Sequence, residues 1–364
     1  MLHLNQHAPF SEALLNWFKH SGRHDLPWQH PREAYRVWLS EIMLQQTQVQ
    51  TVIPYFERFI TEFPTIAALA DASQDEVLHL WTGLGYYARG RNLHKAAQLI
   101  VELHKGKFPE NHADILALPG IGPSTAAAIL AQALNQPSAI LDGNVKRVLT
   151  RYHAISGWPG EKKIETQLWE IAKHHTPDHS AADYTQAIMD LGATVCTRSK
   201  PGCETCPISD GCSARQQGNP RDYPTPKKRT TLPVKQTVML LLQNSNGEVL
   251  LQQRPAQGIW GNLWSLPEIS ADITEPEEIA HFSQHHFGCK IETSTTLTAF
   301  RHTFSHYHLD IQPLQCKVST HTQCVMDSDT LVWYKCGPAE KRNPTDKRGL
   351  PAPVKKLLDN LLEN

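Results

Sequence analysis

The chain has 364 residues, of which 40% are hydrophobic and 20% charged, with 35 Lys and Arg against 36 Asp and Glu. That length exceeds one compact core, so two or three domains are expected. A net charge of -1 excludes a protein that grips polyanions by bulk electrostatics, and no stretch approaches the roughly 18 uninterrupted apolar residues of a membrane span. The expected setting is the cytoplasm, on the nucleoid if the source is bacterial, as a monomer without membrane contact. Charge is uneven: residues 1–216 carry 19 basic against 21 acidic side chains, 217–235 carry 5 against 1, and 236–364 carry 11 against 14. Contact with a nucleic acid would therefore come from local patches.

From Phe10 to about Arg215 apolar residues recur at helical spacing, as in Phe10, Leu14, Trp17, Phe18 and later Leu93, Ala97, Ile100. Pro54, Pro64, Pro109, Pro119 and Pro159 are expected at or near helix ends, which predicts many short helices joined by tight loops. The stretch from Gly218 to Val234 is proline-rich and basic without apolar periodicity, and is expected to be an exposed connector. Beyond it, Thr237–Leu242 and Val249–Gln253 flank Asn244-Ser-Asn-Gly247, a turn between two strands. The predicted architecture is multidomain: an all-α region followed by an α+β domain.

Four of the eight cysteines, Cys196, Cys203, Cys206 and Cys212, form a C-x6-C-x2-C-x5-C arrangement, which offers four soft thiolates within 17 residues. A metal site in a reducing compartment suits this crowding better than disulfides. Zinc usually takes two C-x2-C pairs and only one is present, but spacing alone leaves zinc and an iron-sulfur cluster both open. The first loop between cysteines carries Arg198 and Lys200 and no acid, so it is either a phosphate contact or a solvated turn.

Leu118-Pro119-Gly120-Ile121-Gly122-Pro123-Ser124-Thr125 precedes an alanine-rich helix. Gly120 and Gly122 allow a sharp turn with unobstructed amides, and these amides with the helix dipole can clasp a phosphate without side-chain charge. Glu41, in Ser40-Glu41-Ile42-Met43-Leu44-Gln45-Gln46-Thr47, has Val37, Trp38, Leu44 and Gln45 as helical neighbours. Desolvation there would raise its pKa and favour a general acid. Asp142, in Leu141-Asp142-Gly143-Asn144-Val145-Lys146-Arg147, stands before a predicted helix whose N-terminus favours an ionised carboxylate. It suits charge stabilisation, although a simple N-cap reads the same way.

Glu41 within S-E-I-M-L-Q-Q-T, the L-P-G-I-G hairpin, L-D-G-N-V-K-R and the four cysteines occur in this order over essentially the whole chain. The combination resembles the endonuclease III superfamily of helix-hairpin-helix glycosylases, and within it the MutY family. The resemblance implies a 4Fe-4S cluster on Cys196, Cys203, Cys206 and Cys212. In endonuclease III relatives the residue after L-P-G-x-G-x is a lysine that attacks the sugar. Here it is Ser124, which forms no Schiff base, so a glycosylase without strand cleavage is implied.

By the same resemblance Glu41 protonates adenine at N7, Asp142 stabilises or traps the cationic sugar, and Asn144 assists by hydrogen bonding. The implied partner is double-stranded DNA with adenine opposite 8-oxoguanine or guanine. The base must leave the stack, and Gln45, Gln46, Thr47, Leu84 and Tyr86 match the family's wedge and pocket positions. Gly120, Gly122, Ser124, Arg198 and Lys200 are the expected backbone contacts. The implied domains are a helical glycosylase region over 1–216, a linker over 217–235, and a Nudix-like domain over 236–364. Within the first, a six-helix barrel module covers about 26–134 and an iron-sulfur module about 1–25 and 135–216.

Residues 236–364 resemble the Nudix-like domain with which this family reads 8-oxoguanine. Gly258-Ile-Trp-Gly-Asn-Leu-Trp264 fits its pattern, whereas the R-E-x-x-E-E helix of a hydrolase does not follow, since the chain has Glu277-Glu278-Ile-Ala-His-Phe-Ser-Gln-His-His-Phe287. Phe304-Ser305-His306 matches the reading loop; without the resemblance it is an alternating strand with outward histidines. Three competitors stand beside adenine release: a lyase acting on oxidised pyrimidines, a nucleotide-pool hydrolase built on the C-terminal domain, and a redox-sensing DNA binder without catalysis.

Overall fold

The alternation of short apolar-periodic runs with prolines and glycines yields short helices. In the computed structural model, which describes residues 10–227, 231–320, 329–336 and 347–361, the chain begins with α1 (Phe10–Ser21), α2 (Ala34–Leu44), α3 (Val49–Glu62) and α4 (Ile66–Asp71). It continues through α5 (Gln74–Trp81), α6 (Ala88–His104), α7 (His112–Ala117), α8 (Pro123–Leu134), α9 (Gly143–Tyr152), α10 (Lys162–His175) and α11 (Ala181–Asp190). A π-helical turn, Leu191–Val195, and α12 (Ser213–Gln216) close the helical stretch.

Local chemistry sets the boundaries. Ser73 and Glu76 form a reciprocal capping box that opens α5, Pro123 stands at the start of α8, and Asn135 ends that helix in the left-handed conformation at φ 52°. One expectation fails: Pro54 lies inside α3 and not at its end. Its apolar stripe of Val52, Phe56 and Phe59, all fully buried, carries the helix through the missing hydrogen bond. Helix α2 packs on α8, where a buried run of Ala126, Ala127, Ala128 and Ala131 lets the two backbones approach.

By contact the chain divides into two compact units, Met1–Asp71 with Asn92–Arg229, and Ala72–Arg91 with Thr230–Asn364. The division differs from the expected linear one because Ala72–Arg91 belongs with the C-terminal chain. Trp264 Nε1 donates to Asp75 at 3.0 Å, Asn262 to Gln74 at 2.7 Å, and the Tyr87 hydroxyl to the Leu350 carbonyl at 2.8 Å. The expected connector is also less free than predicted: Arg151 donates to the Tyr223 carbonyl at 2.9 Å, and Thr225 accepts from Gly157 N.

The second unit is built on a mixed sheet of β1 (Val234–Gln243), β2 (Glu248–Gln253), β3 (Trp264–Ser265), β4 (Glu268–Ser270), β5 (Cys289–Thr296), β6 (Phe300–Thr303), β7 (His308–Thr320) and β8 (Leu331–Lys335). Helices α13 (Pro276–Phe287) and α14 (Ala352–Asn360) accompany it. Strand order is β3-β2-β1-β7-β5, with β4 on β1, β6 on β7 and β8 on β2. β1 runs parallel to β7, from Val234 opposite His308 to Gln243 opposite Lys317, and every other pairing is antiparallel. Met239 to Leu242 are all fully buried, the mark of a central strand covered on both faces. Leu240, Leu242, Leu250, Ile269, Phe287 and Val318 form its core.

Candidate active site

Helix α2 delivers Glu41 to a cleft of about 950 Å³ whose walls also carry Gln45, Gln46, Thr47, Ser124, Asp142, Asn144, Gln186 and Arg23. Segments far apart in sequence meet there because α2 packs on α8 and α8 on α11. Asp142 is the N-cap of α9: Oδ1 accepts from Val145 N at 2.8 Å, and Oδ2 accepts from Asn144 Nδ2 at 3.3 Å. The carboxylate is thus both a cap and a cleft group, so the two readings of this position coexist. Ser124 accepts from Leu141 N at 3.0 Å, which pins the segment that leads into Asp142. As an acceptor there its hydroxyl keeps its own hydrogen to donate on the cleft wall.

Burial, and then the negative charge of Asp142, push Glu41 up to about 7, against the pull of a hydrogen bond from Gln132 Nε2 to Glu41 Oε1 at 2.8 Å. Asp142 is also raised, contrary to the expectation from the helix N-terminus alone. Burial outweighs the amides of Val145 and Asn144, the nearby Arg147 guanidinium and the Asn144 side chain, all of which favour the anion. The two acids still differ in kind. Asp142 has backbone, amide and guanidinium partners for a negative charge, whereas Glu41 has one amide among the described residues, so the surroundings favour the anion more at Asp142 than at Glu41.

Arg147 fastens this end of α9 to the next segment. Nη2 donates to Asn144 Oδ1 at 2.9 Å and to the Gly192 carbonyl at 2.6 Å, and Nε donates to the Cys196 carbonyl at 2.8 Å. Gly192 is required for the approach, since a Cβ there would come within 2.6 Å of Asn144 Cβ. One turn further, Arg151 donates to Cys196 Sγ at 3.3 Å and to the Thr197 and Arg198 carbonyls at 2.7 and 2.9 Å.

Cys196, Cys203, Cys206 and Cys212 line one cavity together with Val148, Tyr152, Val195 and Ile208. No carboxylate or imidazole lines it; beside the four soft sulfurs, its polar side chains are Tyr152, Ser209, Arg151 and Arg215. Burial, with the neighbouring thiols adding to it, pushes Cys206 up to about 12 and raises Cys212 as well. Four sulfurs lining one cavity suit a cationic occupant that takes them as thiolates. Among the described residues no three His, Cys, Asp or Glu side chains are grouped so as to hold a single metal ion. Arg198 and Lys200 stand exposed on the loop that follows Cys196.

The family described as HhH-GPD superfamily base excision DNA repair protein matches residues 39–174, and a family described as NUDIX domain matches 238–360. A protein of Buchnera aphidicola subsp. Acyrthosiphon pisum named adenine DNA glycosylase is 40% identical over 355 residues, with 98% of this chain and 98% of that protein covered. This chain belongs to the adenine DNA glycosylase family. The adenine DNA glycosylase of Rattus norvegicus is 34% identical over 83% of this chain and 69% of its own length. A solved thermostable thymine-DNA glycosylase matches with a TM-score of 0.51 at 27% identity, covering 57% of this chain and 95% of its own.

Within this glycosylase chain the remaining expected DNA contacts are placed as follows. Gly120 turns the hairpin between α7 and α8 at φ 83°, where a Cβ would come within 2.9 Å of Asn92 Cβ; Gly122 precedes α8 in an extended conformation. Gln45 Nε2 reaches the Gly120 carbonyl at 3.3 Å, and Gln46 holds a left-handed φ of 58° on the cleft wall, a conformation that non-glycine residues adopt at a cost. Leu84 and Tyr86 belong to the second unit. Tyr86 is 50% exposed, but Leu84 is 5% exposed, its carbonyl held by Arg89 at 3.3 Å, so it is not displayed as a wedge in this form. In the same unit Ser305 and His306 are exposed in the turn joining β6 to β7, closed by a bond from Phe304 N to the Tyr307 carbonyl at 2.9 Å. Phe304 lies within 5.3 Å of the Trp260, His302 and Tyr307 rings, an aromatic group that the alternating-strand reading misses.

Sequence reasoning also missed Gln132, Arg147 and Gly192. Gln132 carried a signal: it lies eight residues after Ser124 on an otherwise apolar helix, and thus on the same face. Arg147 and Gly192 act through pairs distant in sequence, which local pattern does not reveal.

Proposed function

We propose that this chain hydrolyses the N-glycosidic bond of adenine mispaired with 8-oxoguanine or guanine, as a step of base excision repair. The observation that carries the reading is the meeting of Glu41 and Asp142 on one cleft in unlike environments. An extruded adenine enters the cleft, and protonated Glu41 gives its proton to the base as the C–N bond breaks. The bonding pair leaves with adenine. Asp142, held by Val145 N and Asn144, offsets the positive charge left on the sugar until water adds and an abasic site forms. Ser124 offers no amine, so the strand-cleaving lyase reading lacks its nucleophile. The exposed Ser305 and His306, above the aromatic group of Trp260, His302, Phe304 and Tyr307, support reading of an altered purine by hydrogen bonding and stacking.

The four cysteine thiolates fit a 4Fe-4S cluster. When bound, such a group ties the loop at four points while the residues of the cleft do the hydrolysis. Iron analysis of purified protein checks this: about four iron per chain is expected, with iron lost in Cys206→Ser.

Duplexes with adenine opposite 8-oxoguanine, guanine, cytosine or thymine, treated with alkali after incubation, test the function. Adenine release opposite 8-oxoguanine and guanine, with strand breaks only after alkali, is expected. Strand breaks without alkali, or indifference to the opposing base, would overturn the reading.

A further inference from the structure

Helix α8 buries a run of Ala, Ile and Leu with one polar residue among them, Gln132, which is 4% exposed. An amide is disfavoured there unless paired. Its side chain makes one bond among the described residues, from Nε2 to Glu41 Oε1 at 2.8 Å, and that bond is in turn the one partner of the Glu41 carboxyl.

We propose that Gln132 is a positioning residue for adenine release: it engages Oε1 of Glu41 as an acceptor and so places the transferable proton on Oε2. This rests on the reading of Glu41 as the acid. The physical basis is the mismatch of donors. A hydrogen on Oε1 would point at the Gln132 N–H, so the acid is protonated on the oxygen that has no partner among the described residues. When Oε2 gives its proton to the leaving base, the electrons of the O–H bond stay on the carboxyl group. The anion so formed keeps the Gln132 bond, which strengthens as charge develops. The amide thus both orients the acid and makes it readier to give up its proton than burial alone would leave it. The other charged groups of the cleft are Asp142, whose charge opposes that release, and Arg23, whose guanidinium is committed to Asp190 at 2.8 Å.

Gln132→Met and Gln132→Leu, which keep the volume and remove the donor, test this in the full-length protein. Single-turnover adenine release from an adenine:8-oxoguanine duplex is followed across the pH range from about 5.5 to about 9, beside DNA affinity and melting temperature. Both variants should lose roughly tenfold at their optimum, and the alkaline limb of the profile should move up by about one pH unit, because the bond that favoured the Glu41 anion is gone. Affinity and melting temperature should stay close to those of the parent. An alkaline limb left in place in both variants would overturn the proposal, whether the rate is retained or falls in step with melting temperature. Glu41→Gln, run in parallel, separates the two ideas: full activity there sinks the acid itself, while its loss together with an unmoved limb in the Gln132 variants sinks only the positioning role.

Discussion

The helical unit and the sheet unit use polar side chains in opposite ways. In the first, Glu41 and Asp142 lie deep in a cleft, each backed by a helix and by named donors. In the second, Ser305 and His306 stand exposed at a hairpin turn over aromatic rings, with little to hold them. On the proposed function the difference follows from the tasks. Proton transfer and cation stabilisation gain strength from exclusion of water, whereas reading an opposing base needs reach. If the division is right, damage to the first unit removes the chemical step, and damage to the second removes discrimination.

Asp142→Asn should break the comparison on the chemical side. Asparagine still caps α9 by accepting from Val145 N, so melting temperature should hardly change, while single-turnover adenine release falls roughly 10²- to 10³-fold. Retention of the rate within about threefold would mean that the anion is not needed, against its expected worth in the transition state.

Phe304→Ala strips the ring that packs among Trp260, His302 and Tyr307. The preference for 8-oxoguanine over guanine opposite adenine should shrink about tenfold, with catalysis on saturated duplex nearly unchanged. A fall in single-turnover rate on both duplexes alike would instead join the two units in one task.

Smaller effects concern pH and stability of the helical unit. The folded-state pKa of Glu41 is raised to about 7, so its contribution to stability is complete below the unfolded value and is lost as pH rises through about 7. Glu41→Gln should therefore raise the melting temperature at pH 8 by a few degrees, roughly, and by less at pH 5. The His153–His175 pair has the opposite sign. Burial, and then the neighbouring histidines, lower His153 to about 4 and His175 to about 3, with the two Nε2 atoms 2.8 Å apart. That stability is present above the unfolded histidine pKa and is lost as pH falls toward those values. His175→Phe should flatten the acid side of the melting-temperature profile, and an unchanged acid slope would contradict it.

Much of this was legible from residue order. The strand pair around Asn244–Gly247 formed as predicted, with Gln243 opposite Val249, because a glycine-containing turn between apolar runs has few alternatives. Glu41 on an apolar helix face and Asp142 before a helix could be read from period and capping chemistry. What escaped depends on tertiary context. Pro54 continues a helix because its neighbours are fully buried, Ala72–Arg91 joins the C-terminal chain through Asp75 and Tyr87, and Leu84 is buried beneath a turn that spacing alone leaves open. The net direction at Asp142 was likewise hidden, since the depth of burial decides between a helix terminus that favours the anion and desolvation that opposes it.

The most direct test of the account is single-turnover adenine release by Glu41→Gln on an adenine:8-oxoguanine duplex, with DNA affinity measured on the same preparation. A loss of roughly 10²- to 10⁴-fold with affinity intact is predicted, the size expected for removal of a general acid. Release at the parent rate by a variant that has no proton to give would contradict it.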